Sequence, residues 1–231
     1  MIDFVNSSTV WGAAATLGVF ALASFLQKRT KLAWCNPILL GSIFMILFLR
    51  MMKIPYPDYK ESTSVLTYLL FPATVSLAIP LYEQWSLLRK NIPVILTGIA
   101  SGVVTSLGSI LLLAWVFQLD SVIAVSLLPK SVTTAIGVDI SAEFGGITAL
   151  TTAVIVLTGI TGNLIAVSLC RFLRITNPIA KGIAIGTSSH AIGTSKALEI
   201  GAVGGAMSSL SIAVAGILTA MLCPFAVSLL P

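Results

Sequence analysis

Charge is what this sequence has least of. Only 9% of its 231 residues are charged, against 57% that are hydrophobic, whereas soluble domains carry about 25% charged residues. A chain this poor in charge cannot cover a water-facing surface, which excludes a soluble domain of any size. The mean hydropathy of +1.03 points the same way, to an all-α polytopic membrane protein. Cysteine is scarce too. Cys35, Cys170 and Cys223 lie far apart, with no CxxC or Cys/His cluster, which argues against structural zinc and a disulfide framework; each reads as a small apolar helix residue. A single histidine, His190, rules out an HExxH pair, and there is no P-loop, Ser-His-acid order or paired-carboxylate pattern. The expectation is therefore no enzyme, no metal and no cofactor. The net charge of +5 does not point to nucleic acid, because the basic residues fall between apolar runs and are not interleaved with aromatics, as base-stacking surfaces require.

What the sequence does have is long apolar runs. A helix needs about 20 apolar residues to cross a bilayer core. The segments are Thr9–Gln27, Asn36–Met52, Ser64–Tyr82, Ile92–Leu119, Ser121–Ser141, Gly146–Cys170, Pro178–Glu199 and Ala202–Leu230. The first reads as a retained helix that also serves as insertion signal. Three of these segments are irregular: one carries Pro72 and Pro80 with Thr74 between them, one is broken by Pro129-Lys130 and Gly137, and one is broken around Gly186–Ser195. Their order invites a reading as two pseudo-repeats, 1–119 and 120–231, within one integral membrane domain, with broken or re-entrant helices. Lys28–Lys31 and the Arg171, Arg174, Lys181 group look cytoplasmic, although Arg50 and Lys53 then fall on the wrong side.

Two broken segments hold polar groups that a lipid-facing helix should not contain. The first runs from Leu128 to Asp139, with Pro129, Lys130, Ser131, Thr133 and Thr134. Proline removes a backbone hydrogen bond and loosens the turn before it, and a lysine at mid-bilayer costs about 2.5–3.5 kcal/mol. The second runs from Gly186 to Glu199, with Ser188, Ser189, His190, Gly193, Thr194, Ser195 and Lys196. Two ammonium groups, many hydroxyls and freed backbone amides suit a small carboxylate, and His190 has the pKa range for a coupled proton. Blander readings stand beside this. Lys196 and Glu199 can pair on one helix face, Lys130 can snorkel, and small-residue runs can pack helices without binding anything.

The stretches Leu127-Leu128-Pro129-Lys130-Ser131-Val132-Thr133-Thr134, with Gly145-Gly146 downstream, and Gly186 to Glu199 closely resemble the LrgB/CidB family. Phe71 to Tyr82 and Asn36-Pro37 fit it as well. The chain departs from the family's pattern at Ala135, where proline is common, and at Lys196, where arginine is frequent and would add a bidentate fork. The resemblance implies one of two functions. One is holin-like or antiholin-like control of murein hydrolase activity and lysis with a small LrgA/CidA partner. The other is movement of glycolate, glycerate or pyruvate across a membrane, as in the related plastid translocators. The expected reading is a monocarboxylate carrier in the bacterial cytoplasmic membrane, a homo-oligomer, with Lys130, Lys196 and the hydroxyls binding substrate and Glu199 holding Lys196.

Overall fold

The computed structural model describes residues 10–30 and 36–231, and in these all side chains except those of Leu70, Phe71 and Thr74. Cys35 and the Thr74 side chain, singled out above, lie outside that set. Among the described residues every regular element is a helix. The chain divides into two compact units, Met1–Ser76 and Leu77–Pro231.

The first unit holds α1 (Trp11–Thr30), α2 (Pro37–Met51), α3 (Tyr56–Ser62) and α4 (Ser64–Ser76). Asn36 starts α2 as a cap: its Oδ1 accepts from the amides of Ile38 at 2.9 Å and Leu39 at 3.4 Å, and Pro37 follows where no amide hydrogen is needed. α1 and α3 are held by the Thr16 and Tyr59 hydroxyls, 2.8 Å apart, and by the Trp11 and Tyr59 rings. Leu17, Phe25, Ile46 and Leu47 are exposed, an apolar surface suited to lipid.

The Pro72–Pro80 segment is interrupted between its prolines. Pro72 sits inside α4, whereas Pro80 falls in the first turn of the next helix, α5 (Ala78–Glu83), where a missing amide hydrogen costs nothing. The chain breaks at Leu77.

The second unit continues with α6 (Trp85–Phe117), α7 (Ser121–Leu127), α8 (Thr134–Glu143), α9 (Thr148–Phe172), α10 (Pro178–Ile200) and α11 (Ala202–Ser228). Among the described residues three helices, α6, α9 and α11, are long and apolar enough to cross a membrane. α6 buries Ile95, Ile99, Val103, Leu107 and Ile110 in one cluster with Leu128, Met207, Ala215 and Cys223. Spacings of three and four put its contributors on one face.

The two polar segments fold as hairpins. α7 and α8 turn back on one another about the Leu128–Thr133 break. The Pro129 carbonyl lies against Gly137, with 3.2 Å to the place a Cβ would take. The Ser126 hydroxyl accepts from the Ile147 amide at 2.7 Å. α10 is broken at His190, whose φ of 43° and ψ of −140° are not helical. Beyond it the chain reverses: Gly193 packs on Ile185, whose carbonyl is 3.2 Å from the place of its Cβ, and Ala197 clusters with Ile185 and Ala166. A non-glycine residue held at positive φ costs about 1–3 kcal/mol and needs strong surroundings. Here the ring supplies one hold, its Nε2 lying 3.0 Å from the carbonyl oxygen of Ile155, and the close approach of Gly159 makes room for it.

Charge separates along this unit. The ends of α6, α9 and α10 that meet at one surface carry Arg89, Lys90, Arg171, Arg174 and Lys181, whereas Asp120 follows the opposite end of α6 and Glu143, the last residue of α8, precedes the opposite end of α9. One hairpin therefore starts from the acidic end and the other from the basic end.

Candidate functional site

Lys130 sits at the turn of the first hairpin, half-buried, and its Nζ donates to Ser131 Oγ at 3.0 Å and to Ser106 Oγ at 3.3 Å. The two hydroxyls are themselves 3.0 Å apart, so ammonium and hydroxyls form a closed triangle. Pro129 shapes the turn: it is fully buried, and its carbonyl accepts from the Val132 amide at 3.3 Å.

A cavity of about 650 Å³ opens beside this triangle, lined by Lys130 and Ser131, by Asn91, Ser101, Gly102, Thr105, Ser106 and Ser109 of α6, and by Asn177, Thr187 and Ser188 of the second hairpin. A second cavity of about 430 Å³ follows α9 on the other side of the same hairpin and is lined by Thr158, Thr161, Ser189 and again Lys130 and Ser188. These volumes lie in the range of small-molecule sites. Lys130 and Ser188 are common to both, so the two broken segments, far apart in sequence, meet at one place. Among the described residues Lys130 is the one charged group lining either cavity.

Ser188 and Ser189 hydroxyls are 3.0 Å apart. Thr187 differs from its neighbours. It is 5% exposed and lines the larger cavity, and among the described residues its Oγ1 is the one buried side-chain oxygen or nitrogen with no hydrogen-bond partner. An unpaired buried hydroxyl costs about 1–3 kcal/mol, which fits a group that finds its partner on a ligand.

Several residues singled out in the sequence lie elsewhere. Lys196 pairs with Glu199 at 2.6 Å, the two side chains 32% and 66% exposed, and lines neither cavity; the three-residue spacing within one helix brings them together as a surface pair. Such a pair contributes at most about 1 kcal/mol, so Lys196→Ala is expected to leave substrate affinity within twofold of wild type in a binding titration. His190 is buried beside α9 and braces the break from outside both cavities. Thr194 donates to the His190 carbonyl at 2.9 Å and pairs with Ser208 at 2.7 Å, joining the hairpin to α11. Ser195 accepts from Asn163 at 3.1 Å. Thr133 precedes α8, which opens with an exposed Thr134, and neither lines a cavity. Gly137 and Gly193 serve close packing within the hairpins, as above.

The hydroxyl stripe of α6 escaped the sequence reading. Ser101, Thr105 and Ser109 recur every fourth residue, with Ser106 beside them, and face the cavity together. Their helical spacing in an otherwise apolar run was the available signal.

The family model for the LrgB-like family matches residues 16–229. The antiholin-like protein LrgB of Bacillus subtilis (strain 168) is 33% identical over 224 residues, 96% of this chain and 97% of that one. Two uncharacterized proteins of the same organism are also similar. YwbG is 36% identical over 92% of this chain and 95% of its own, and YxaC is 35% identical over 92% of each. No solved structure matches the chain. With a family match over most of its length and full-length relatives above 30% identity, the chain belongs to the LrgB-like family.

Proposed function

We propose that this protein is a carrier, not an enzyme, which moves small monocarboxylates of the glycolate, glycerate, lactate or pyruvate type across the bacterial cytoplasmic membrane. One observation carries the reading: among the described residues a single cation, Lys130, sits where two helical hairpins meet and lines the cavities on both sides of the second. One ammonium matches one carboxylate, and a dicarboxylate would bring a second charge with no partner. Ser106, Ser131, Thr187 and Ser188 are then placed for the carboxylate and for an α-hydroxyl or keto oxygen. The substrate takes over the Lys130 donors that now rest on Ser106 and Ser131.

The hairpins start from oppositely charged ends, and the excess of lysine and arginine marks the basic end as cytoplasmic. Broken helices that meet from opposite sides suit alternating access, in which each hairpin uncovers the site in turn. The second reading, control of lysis by an antiholin-like protein acting with a small membrane partner, rests on the name of the B. subtilis relative.

The binding step is tested on the purified protein. Pyruvate or glycolate at a hundred times its Kd stabilises a binding-competent fold by about 2.7 kcal/mol, so the thermal midpoint is expected to rise with either acid and not with glycerol. Lys130→Gln should cut the rise to about half or less at the same ligand concentration, and a rise as large as that of the wild type would contradict the assignment. Thr187→Val separates stability from binding. It removes an unpaired buried hydroxyl at nearly constant volume, so the ligand-free protein is expected to gain about 1 kcal/mol while substrate affinity falls about fivefold to tenfold.

A further inference from the structure

At the basic end of the second unit lies a third cavity of about 340 Å³, which shares Cys170 with the cavity along α9 but not Lys130 or Ser188. Arg171 from the end of α9, Arg174 and Thr176 from the connecting loop, and Lys181 from the first turn of α10 line it, with Cys170 and Ile200 among its apolar walls. Three cations share this small concavity and, among the described residues, no carboxylate lines it. The nearest acid in sequence to Ile200, Glu199, is already paired with Lys196. Like charges gathered this way repel unless an anion sits between them. The turn that presents them is tightly built: the Ile175 amide donates to the Cys170 carbonyl at 2.8 Å, the Arg174 amide to the Arg171 carbonyl at 3.1 Å, and Arg174 itself takes the left-handed conformation at φ 54°.

The residues between the two arginines decide what kind of anion. Phe172 and Leu173 are 81% and 55% exposed, large apolar side chains at the end of a membrane-length helix; such side chains suit acyl chains, and guanidinium groups beside them suit the headgroup layer. A soluble anion has no use for this exposed apolar pair between the two arginines, and an acidic peptide would leave it bare. We infer that this cavity holds the phosphodiester headgroup of an anionic phospholipid, with Arg171, Arg174 and Lys181 on the phosphate oxygens and Phe172 and Leu173 among the acyl chains. Guanidinium groups favour such contacts through bidentate hydrogen bonds, and basic pockets between helices at the cytoplasmic face are suited to anionic headgroups.

The test uses the full-length protein purified in a neutral detergent. Native mass spectrometry would count bound dioleoyl-phosphatidylglycerol against dioleoyl-phosphatidylcholine supplied in equal amounts. Preference for the anionic lipid by a factor on the order of a hundred is expected from three basic contacts at about 1 kcal/mol each. It should be lost in the R171Q/R174Q/K181Q variant and kept in R89Q/K90Q, which removes as much as two charges from the same end outside the cavity. K181Q alone should weaken the preference severalfold, which covers a triple variant that fails to fold. Equal retention of both lipids, or a preference that survives the triple change, would overturn the inference. So would displacement of the lipid by equimolar inorganic phosphate, which would make this a free-anion site.

Discussion

Lys130→Gln is expected to raise the half-saturating concentration for carboxylate uptake in reconstituted liposomes about tenfold to a hundredfold, while the protein inserts and purifies as the wild type does. The ammonium group is the only charged one lining either cavity among the described residues, and its contacts are the two serine hydroxyls that a substrate would displace. A charge-assisted hydrogen bond is worth about 1.5–3 kcal/mol, so affinity should fall about tenfold to a hundredfold. The fold should not suffer. A lysine at membrane depth is itself unfavourable by about 2.5–3.5 kcal/mol, so the variant is expected to melt at or above the wild-type temperature. A Lys130→Gln protein that is less stable yet transports normally would show the lysine to be structural.

The second large effect lies in packing. Gly186→Ala would place a methyl group 2.8 Å from both the Cα and the Oγ of Ser208 on α11. Backbone lies on both sides of that contact, so the hairpin and α11 must part. Overpacking of this kind costs about 1–3 kcal/mol, more than the roughly 1 kcal/mol that alanine gains over glycine in a helix. Gly108→Ala is the matched control, because open space surrounds that position on α6. Gly186→Ala is expected to lower the thermal midpoint and the yield of monodisperse protein, and Gly108→Ala to hold or raise both.

Much of this was legible from residue types alone. Low charge and long apolar runs announce a helical membrane protein, and breaks fall where they were expected at Pro129-Lys130 and within Gly186–Ser195, whereas α8 runs unbroken through Gly137, where glycine serves close packing instead. Proline and glycine act locally, so their effect on the backbone can be read from the sequence. The choice among the polar groups could not be read. The pairing of Lys196 with Glu199 was readable from their spacing as one of two options, but only the reversal of the chain at His190 leaves Ser188 facing the cavity and carries Lys196 away from it. That reversal depends on an imidazole braced against the Ile155 carbonyl from another helix, a long-range contact with no local signature. The α6 stripe was missed for the opposite reason. Its signal is periodic and present in the sequence, but serine and threonine bond back to their own helix, as Ser101 does to the Gly98 carbonyl at 2.8 Å, and such residues pass for helix filler.

The most direct measurement follows labelled pyruvate and a trapped fluorescent dye in the same proteoliposomes. A carrier gives uptake that saturates, that is accelerated by unlabelled pyruvate inside the vesicles, and that leaves the dye in place. Release of the dye together with uptake that rises linearly with concentration would mean a pore. The account of Lys130 and the two hairpins as a substrate site would then fail.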